Sequence, residues 1–563
     1  MLLSNLNLLA TAPGGVAKLR ELILTLAVQG KLVPQDPADE PAGVLLQKIR
    51  AEKDRLIAEG KIKRDKPLAA IAEEEKPFGL PKSWEWSRLG ALASKLTDGS
   101  HNPPRDSGAG YPMLSSQNVW EGGVVDFTSP TRYVGEADFL IENSRTAAVP
   151  GDVLLTIVAS LGRSAVVPIG APAFVLQRSV AVIRSGLNPE FCSLFLRSPV
   201  ARAYYDLHGK GTAQKGIYLG KLGAMPIAVP PLAEQSRIVT RVEALMRLCD
   251  ALVAKGQLEA AQHAQLVSTL LGTLIASTTP EELAANWQRV AQHFDLLLDR
   301  PEAIDALEQT LLQLAVRGLL VPQDPTDEPA SALLQKIRAE KDRLIATGQI
   351  KRDKPLPPIT DEEKPFALPV GWEWVRVGDV VELLNGYAFK SEWFKPAGVR
   401  LLRNVNISHG HVDWSVPVML DAIAAKSYEQ FALRAGDIVL SLDRPIISTG
   451  LKYAVIRDSD LPCLLLQRVA RLTACACLSS EFLQLWLKSD LFVGTIDPGR
   501  SNGVPHISTK QVAGLAFALP PLAEQSRIVT RVTALRRLCA DLRQRLAERQ
   551  SVQARLAEAL LIH

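Results

Sequence analysis

Apolar residues recur at alternating intervals of four and three in two places along the chain. The first series is Ile238, Val242, Leu245, Cys249 and Leu252. This is the spacing of a coiled-coil seam, and it predicts one helix from Ala233 to about Ser277. The seam breaks at Gly256, Glu259 and His263 and resumes at Leu266 and Leu270. The second series is Ile528, Val532, Leu535, Cys539, Leu542 and Leu546; it breaks at Arg549 and Gln553 and resumes at Leu556 and Leu560. A helix of about 45 residues spans about 67 Å, the length of a spacer and not of a core element. Shorter stripes precede each series. Val16, Leu19, Ile23 and Leu26 form one, Ile304, Leu307, Leu311 and Leu314 the other, with Gly30 and Gly318 placed to cap the helix ends. A further helix in each half follows Pro41 and Pro329.

The matching patterns are copies. AVQGKLVPQDPADEPAGVLLQKIRAEKDRLIAEGKIKRDKP begins at Ala27 and returns from Ala315 as AVRGLLVPQDPTDEPASALLQKIRAEKDRLIATGQIKRDKP. PPLAEQSRIVTRVEALMRLCD from Pro230 returns from Pro520 as PPLAEQSRIVTRVTALRRLCA. Between these segments the copies diverge, yet they still align in outline. Leu114-Ser115-Ser116-Gln117-Asn118-Val119 answers Leu402-Arg403-Asn404-Val405-Asn406-Ile407, Gly151-Asp152-Val153 answers Gly436-Asp437-Ile438, and Leu176-Gln177-Arg178 answers Leu466-Gln467-Arg468. One architecture is therefore present twice, as a fixed frame with two divergent inserts.

The inserts change character. They carry Gly, Pro and Asn turn signals and short β-branched runs, such as VLLTIV at 153–158 and IVLSL at 438–442, and each ends in a helix near 189–207 or 479–493. The predicted fold is α+β: two mixed α/β domains separated by long antiparallel coiled-coil helices, with an internal pseudo-two-fold repeat. The divisions fall at residues 1–82 (repeated helical region), 83–229 (first insert), 230–370 (central spacer), 371–519 (second insert) and 520–563 (final helix).

Composition narrows the function without naming it. Apolar residues make up 47% of the 563 and charged residues 22%, enough for real cores and against wholesale disorder. The N-terminal stretch lacks a basic leader region and no long apolar run occurs, so the expectation is a soluble cytoplasmic protein without a membrane span. Six cysteines without CxxC spacing outline neither a disulfide framework nor a zinc site, and Cys475 and Cys477 stand too close for usual zinc ligands. A net charge of +4 cannot establish a nucleic-acid partner, so any DNA-binding surface must gather its basic residues locally. Two related heads on a rigid frame would match the local two-fold symmetry of duplex DNA. Because the heads differ, their target would be split and asymmetric.

The PPLAEQSRIVTRVEAL motif, the AVQGKLVPQDP segment, the Thr97–His101 run TDGSH and the paired PGDVLLT and AGDIVLS turns resemble those of type I restriction–modification specificity subunits. The resemblance covers essentially the whole chain. It implies that each insert is a target-recognition domain reading one half of a bipartite site in double-stranded DNA. It implies that the repeated helices space the two and bind two adenine-methyltransferase subunits, which restriction and translocase subunits then join. S-adenosylmethionine, ATP and Mg2+ would belong to those partners, with no cofactor and no catalytic residue in this chain. In the second insert Leu384-Asn385-Gly386-Tyr387 stands where the first has Thr97-Asp98-Gly99-Ser100. The rival readings are a fused methyltransferase or nuclease, and a coiled-coil scaffold for other proteins.

Candidate DNA contacts follow from chemistry. TDGSH presents Ser100 and His101, unless Asp98-Gly99 simply makes a turn. GKGTAQKG (209–216) and GRSNGVPH (499–506) are Gly-rich basic loops at matching points, unless they are flexible surface loops; Lys210, Lys215 and Arg500 suit phosphates, Gln214 and Asn502 suit bases, and His506 is a further candidate for DNA contact. Neither is a nucleotide-binding P-loop. Gln117, Asn118, Arg403 and Asn404 can each read a purine, or else satisfy backbone at strand ends. Gln177-Arg178 and Gln467-Arg468 recur, which burial beside a strand would also explain. The basic clusters Lys61, Lys63, Arg64, Lys66 and Lys351, Arg352, Lys354 could bind DNA or an acidic partner face, but solvated helix ends are the commoner explanation. Asn102-Pro103-Pro104-Arg105 reads as a proline-rich turn, since an adenine methyltransferase needs an aromatic fourth residue and a glycine-rich cofactor loop.

Overall fold

The computed structural model describes residues 12–64, 67–211, 215–347, 355–448, 450–496 and 506–562. They form two compact units: residues 1–259 with 550–563, and residues 260–549. Lys66, Gln214, Lys351, Arg352, Lys354, Arg500 and Asn502 lie outside the described residues.

In the first unit, helix Gly15–Val28 ends where the sequence places its cap. Gly30 has φ +71°, and Lys31 N–H donates to the Leu26 carbonyl at 2.9 Å, closing the last turn. Ile23 of its stripe, with Ala27 and Val28, shares one core with Ile238, Val242 and Cys249 of the long helix Leu232–Ala276. Val16 and Leu19 pack against that core, whereas Leu26 stays outside it. Between the two helices sits the first head. Strand Glu85–Arg88, where the chain enters, pairs antiparallel with strand Pro226–Val229, where it leaves, so one two-stranded clasp closes the head. Inside the clasp, an antiparallel sheet runs in the order Ala93–Asp98, Val180–Ser185, Val153–Thr156, Ser164–Val166. A smaller sheet joins Arg132–Val134, Tyr111–Leu114 and Val175–Leu176. The helix expected near 189–207 is two helices, Pro189–Arg197 and Pro199–His208. Pro199 holds Ser198 extended (φ −66°, ψ 157°), and the Ser198 hydroxyl caps the second helix by accepting from Ala201 N–H.

The second unit repeats the plan. The clasp is Glu373–Arg376 with Ala516–Leu519. Its sheets run Val381–Asn385, Val469–Ala474, Ile438–Ser441, Tyr453–Val455, His409–Gly410, and Phe394–Lys395, Met419–Leu420, Val399–Leu402, Cys463–Leu465. The closing helix again breaks, into Ser480–Lys488 and Asp490–Val493. Helix Pro301–Val316 packs through Ile304, Leu307, Leu311 and Leu314 on Cys539 and Leu546 of helix Leu522–Ile562 and on Val267, Leu271 and Leu274.

The second half of each seam needs correcting. Leu266 and Leu556 are 52% and 51% exposed, while Val267 and Ala557 are buried; the side chain of Leu560 lies outside the described residues. A strict heptad count falls about 20° behind a straight helix with each repeat. Over four repeats that is about 80°, close to the 100° between neighbouring residues, so the buried stripe advances by one.

The duplicated segments touch one another in both copies. Glu234 of the PPLAEQSR motif is buried and accepts from Trp84 Nε1 (3.0 Å) and Gln35 Nε2 (2.7 Å). Gln235 accepts from Asn188 N–H and donates to the Pro230 carbonyl, and Arg237 makes a two-pronged bond to Asp39. The copy is Glu524 with Trp372 and Gln323, Gln525 with Ser479 and Pro520, and Arg527 with Asp327. Burial pushes both glutamate carboxyls above their ordinary range, and the Trp and Gln donors pull the other way.

A second lock fixes each clasp. Arg88 binds both oxygens of Glu75 and the carbonyls of Ala69, Ala70 and Ala224; Arg376 binds Glu363 and the carbonyls of Pro357, Pro358 and Gly514. The arginine bonds, with backbone donors from Ala72 and Thr360, hold both carboxyls down to about 2 from the usual 4.5. A depressed carboxyl stabilises the fold above its unfolded value, and that contribution is lost as pH falls through the folded one. Acidification from about pH 5 to about pH 2.5 should therefore lower the wild-type melting temperature more than that of a Glu75→Gln, Glu363→Gln variant. Equal falls in the two proteins would contradict the lock.

Candidate nucleic-acid interface

In the first head, five loops are stitched along one edge by backbone hydrogen bonds. Ser100 N–H donates to the Leu176 carbonyl (2.7 Å) and Gln177 N–H to the Leu114 carbonyl (2.9 Å). Ser179 receives Ser116 N–H on its hydroxyl (3.1 Å) and Ile157 N–H on its carbonyl (2.9 Å). Ala159 N–H donates to the Lys215 carbonyl (3.0 Å), and Lys210 and Gly216 exchange two 2.9 Å bonds that close the basic loop at its base. The candidate segments around residues 100, 117, 177, 210 and 215 are thus neighbours. Gly99 is not turn chemistry: the chain passes so close over Leu176 and Gln177 that a Cβ would strike their carbonyl oxygens.

Side chains on this edge divide into those that face solvent and those that hold the edge together. His101 and Gln117 are exposed. His101 Nε2 lies 2.9 Å from the buried carboxylate of Asp98, which also binds Arg145. Lys210 is exposed, and Lys215 pairs with Asp206 at 3.1 Å. Two expected contacts are corrected. Ser100 is buried beneath its own backbone pairing. Asn118 is buried, its Oδ1 accepting from Ser115 N–H and its Nδ2 donating to the Asp126 and Ser129 carbonyls.

The second head has the same edge with other groups. Asn406, the counterpart of Asn118, accepts from Arg403 N–H and donates to the Asp413 and Val416 carbonyls, so both asparagines clamp a loop. Arg403 lies over that clamp, donating to the Val416 carbonyl at 2.5 Å. Asn404 Nδ2 reaches Asp443 (3.3 Å), and His506 Nδ1 lies 2.9 Å from the same carboxylate. Tyr387 replaces Ser100 and enters an aromatic cluster with Phe389, Tyr428 and Phe431. Val405, exposed, stands in the place of Gln117.

Sequence reading missed Arg145 and Asp443, whose partners lie far away in the chain, and took Asp98 only for a turn residue. The recurrence of Gln177-Arg178 and Gln467-Arg468 is displaced by one residue in the fold: Arg178 N–H donates to the Ser100 carbonyl as Gln467 N–H does to that of Tyr387, and both arginines are exposed. The first-copy cluster at Lys61, Lys63 and Arg64 is a solvent-facing helix end, with Lys61 on Glu59. No helix among the described residues is long and apolar enough to cross a membrane.

Residues 107–262 and 369–549 match the family model described as the type I restriction modification DNA specificity domain. The chain is similar to the type I restriction enzyme EcoAI specificity subunit of Escherichia coli, at 46% identity over 562 residues, covering 97% of this chain and 93% of that one. It is similar to the EcoEI specificity subunit of the same species, at 34% identity and the same two coverages. Among solved structures it is similar to the HsdS subunit from Thermoanaerobacter tengcongensis, at 20% identity and a TM-score of 0.39, covering 86% of this chain and 97% of that one. With two domain matches and a near full-length relative, this chain belongs to the family of type I restriction–modification DNA specificity subunits.

Proposed function

We propose that each head reads one half of a split, asymmetric sequence in double-stranded DNA, and that the frame sets the length of the unread spacer. The observation that carries this reading is a shared backbone edge with different outward groups. Gln117 and His101 of the first head give way to Val405 and Ala388 of the second, while the clamps Asn118 and Asn406 are kept. Phosphate contacts are tolerant of sequence, whereas base-edge contacts need particular side chains, so a fixed scaffold with exchanged side chains is what two readers of different words require.

The family and the relatives' names support assembly with other subunits of a type I restriction–modification enzyme. In that assembly this chain supplies recognition, directing two adenine-methyltransferase subunits and the restriction and translocase subunits. S-adenosylmethionine, ATP and Mg2+ serve those partners, this chain needs no cofactor and catalyses nothing by itself, and the complex works in the cytoplasm. The fused-enzyme and scaffold readings have no support among its relatives.

The test is selection of sites from a randomised duplex library by the assembled complex. His101→Ala with Gln117→Ala should relax selection in one half-site, by about 1–3 kcal/mol for each base that is no longer read, and leave the other half unchanged. Relaxation in both halves, or in neither, would contradict the assignment.

A further inference from the structure

In the second head a buried carboxylate gathers side chains from three separate loops. Asp443 keeps 13% of its side chain exposed. Its Oδ2 receives Arg468 Nη1 at 2.9 Å and Asn404 Nδ2 at 3.3 Å, and its Oδ1 lies 2.9 Å from His506 Nδ1. Asn404 and His506, candidates for DNA binding themselves, each bring one nitrogen to this carboxylate, with 48% of the His506 side chain still exposed. Arg468 is turned outward: the bond uses one terminal nitrogen, and 66% of the side chain stays open to solvent.

The backbone around the cluster is unusual. Among the described residues, the non-glycine positions with positive φ are Ala147, Ala159, Arg444 and Arg468. Arg468, at φ +67°, thus adopts a conformation unfavourable for a residue with a Cβ, and it is held there by its carbonyl accepting from Leu442 N–H at 2.9 Å. The first head makes the equivalent bond, from Ile157 N–H to the Ser179 carbonyl, but without a positive φ at Ser179 and with none of the cluster. The bridge between Asp443 and His506 corresponds to one between Val158 and Gly216, and Ser116 stands where Asn404 is. Ser179 stands where Arg468 is, so the arginine too belongs to the second head alone.

We infer that Arg468 is a specificity-determining residue of the second head, presenting its guanidinium fork to the O6 and N7 of a guanine in that head's half-site, with Asp443 as its positioning residue. Arginine bidentate to guanine is the commonest specific contact in the major groove. A guanidinium whose rotamer is fixed in advance by a buried carboxylate loses less freedom on binding than one swinging in water. A carboxylate left at this edge without a cation would repel DNA, and Arg468 supplies that cation. The inference rests on the proposed reading of one half-site per head.

The experiment uses the assembled complex and a library randomised in both half-sites. Arg468→Ala should reduce discrimination at one G·C pair in the second head's half-site by about 5- to 150-fold and leave the first head's half unchanged. Arg468→Lys should fail to restore it, because a lysine cannot bind both acceptors as a fork. Asp443→Asn should weaken selection at the same base pair by less, and combined with Arg468→Ala it should add nothing there, since both act through one guanidinium. A merely structural aspartate would instead weaken every position of that half together. A uniform loss across sequences with a salt slope lowered by about 0.9 would make Arg468 a phosphate ligand and overturn the inference, as would an Asp443→Asn variant with unchanged selection. If the wild type selects no split sequence, the reading of the heads fails. If it selects one that Arg468→Ala leaves intact, this inference alone fails.

Discussion

Alanine at Gly99 should destabilise the first head by about 3 kcal/mol or more and abolish recognition of its half-site while the second half-site survives. The added Cβ would lie within 2.5 Å of the Gln177 carbonyl oxygen and closer still to that of Leu176. Both obstacles are backbone, pinned on either side by the pairing of Ser100 with Leu176 and of Gln177 with Leu114, so neither can swing away as a flexible side chain would. Gly386→Ala should act in the same way on the second head, where the Leu465 oxygen lies 2.8 Å from the added atom and the Leu466 oxygen nearer. Hydrogen exchange at the Ser100 and Arg178 amides reads the local opening directly. A Gly99→Ala protein with protection within about 0.5 kcal/mol of wild type would show that the close approach is not a constraint.

Glu234→Ala should detach the first head from its frame helix. The substitution leaves Trp84 Nε1–H without its acceptor at a buried point, a stranded donor that costs about 1–3 kcal/mol, while the exposed Gln35 loses one bond and keeps the Gly30 carbonyl. Glu234→Gln keeps one acceptor and the side-chain shape and should cost less. Glu524→Ala removes the same pair of bonds, from Trp372 and Gln323, in the second unit. Urea denaturation of the single and double variants should show each loss confined to its own transition and the two adding to within about 0.5 kcal/mol, because they share no partner. A Glu234→Ala protein as stable as wild type would mean that the repeated motif has some other purpose.

The frame was legible in the sequence because its residues answer one another. Gln35, Asp39, Trp84, Glu234 and Arg237 recur as Gln323, Asp327, Trp372, Glu524 and Arg527, and in both copies they are each other's partners. The short strands and Gly30 and Gly318 were legible from local chemistry. Helix phase was not: a seven-residue count carried across Gly256 and His263 lands on Leu266, one place short of the buried Val267. The break at Ser198 was written in Ser198-Pro199, but its counterpart at Ser489 precedes an aspartate and leaves no such mark. The edge was only half legible. An asparagine suits a base and a backbone clamp equally well, and only coordinates separate Asn118 from Gln117. Charge clusters such as Asp98 with Arg145, or Asp443 with Arg468 and His506, are made by the fold from distant segments, and no spacing announces them.

The central claim, that the two heads are separate readers on one frame, is tested by exchanging everything between Arg88 and Pro226 for the equivalent segment of a relative with a different target. These cuts keep the clasp, the Arg88–Glu75 lock and the Trp84–Glu234 bond. The measurement is the set of sites the assembled complex selects from a library randomised in both half-sites and in spacer length. One half of the recognised sequence should become that of the donor's first head, with the other half and the spacer length unchanged. A hybrid that folds and assembles but alters both halves together, or neither, would contradict the account.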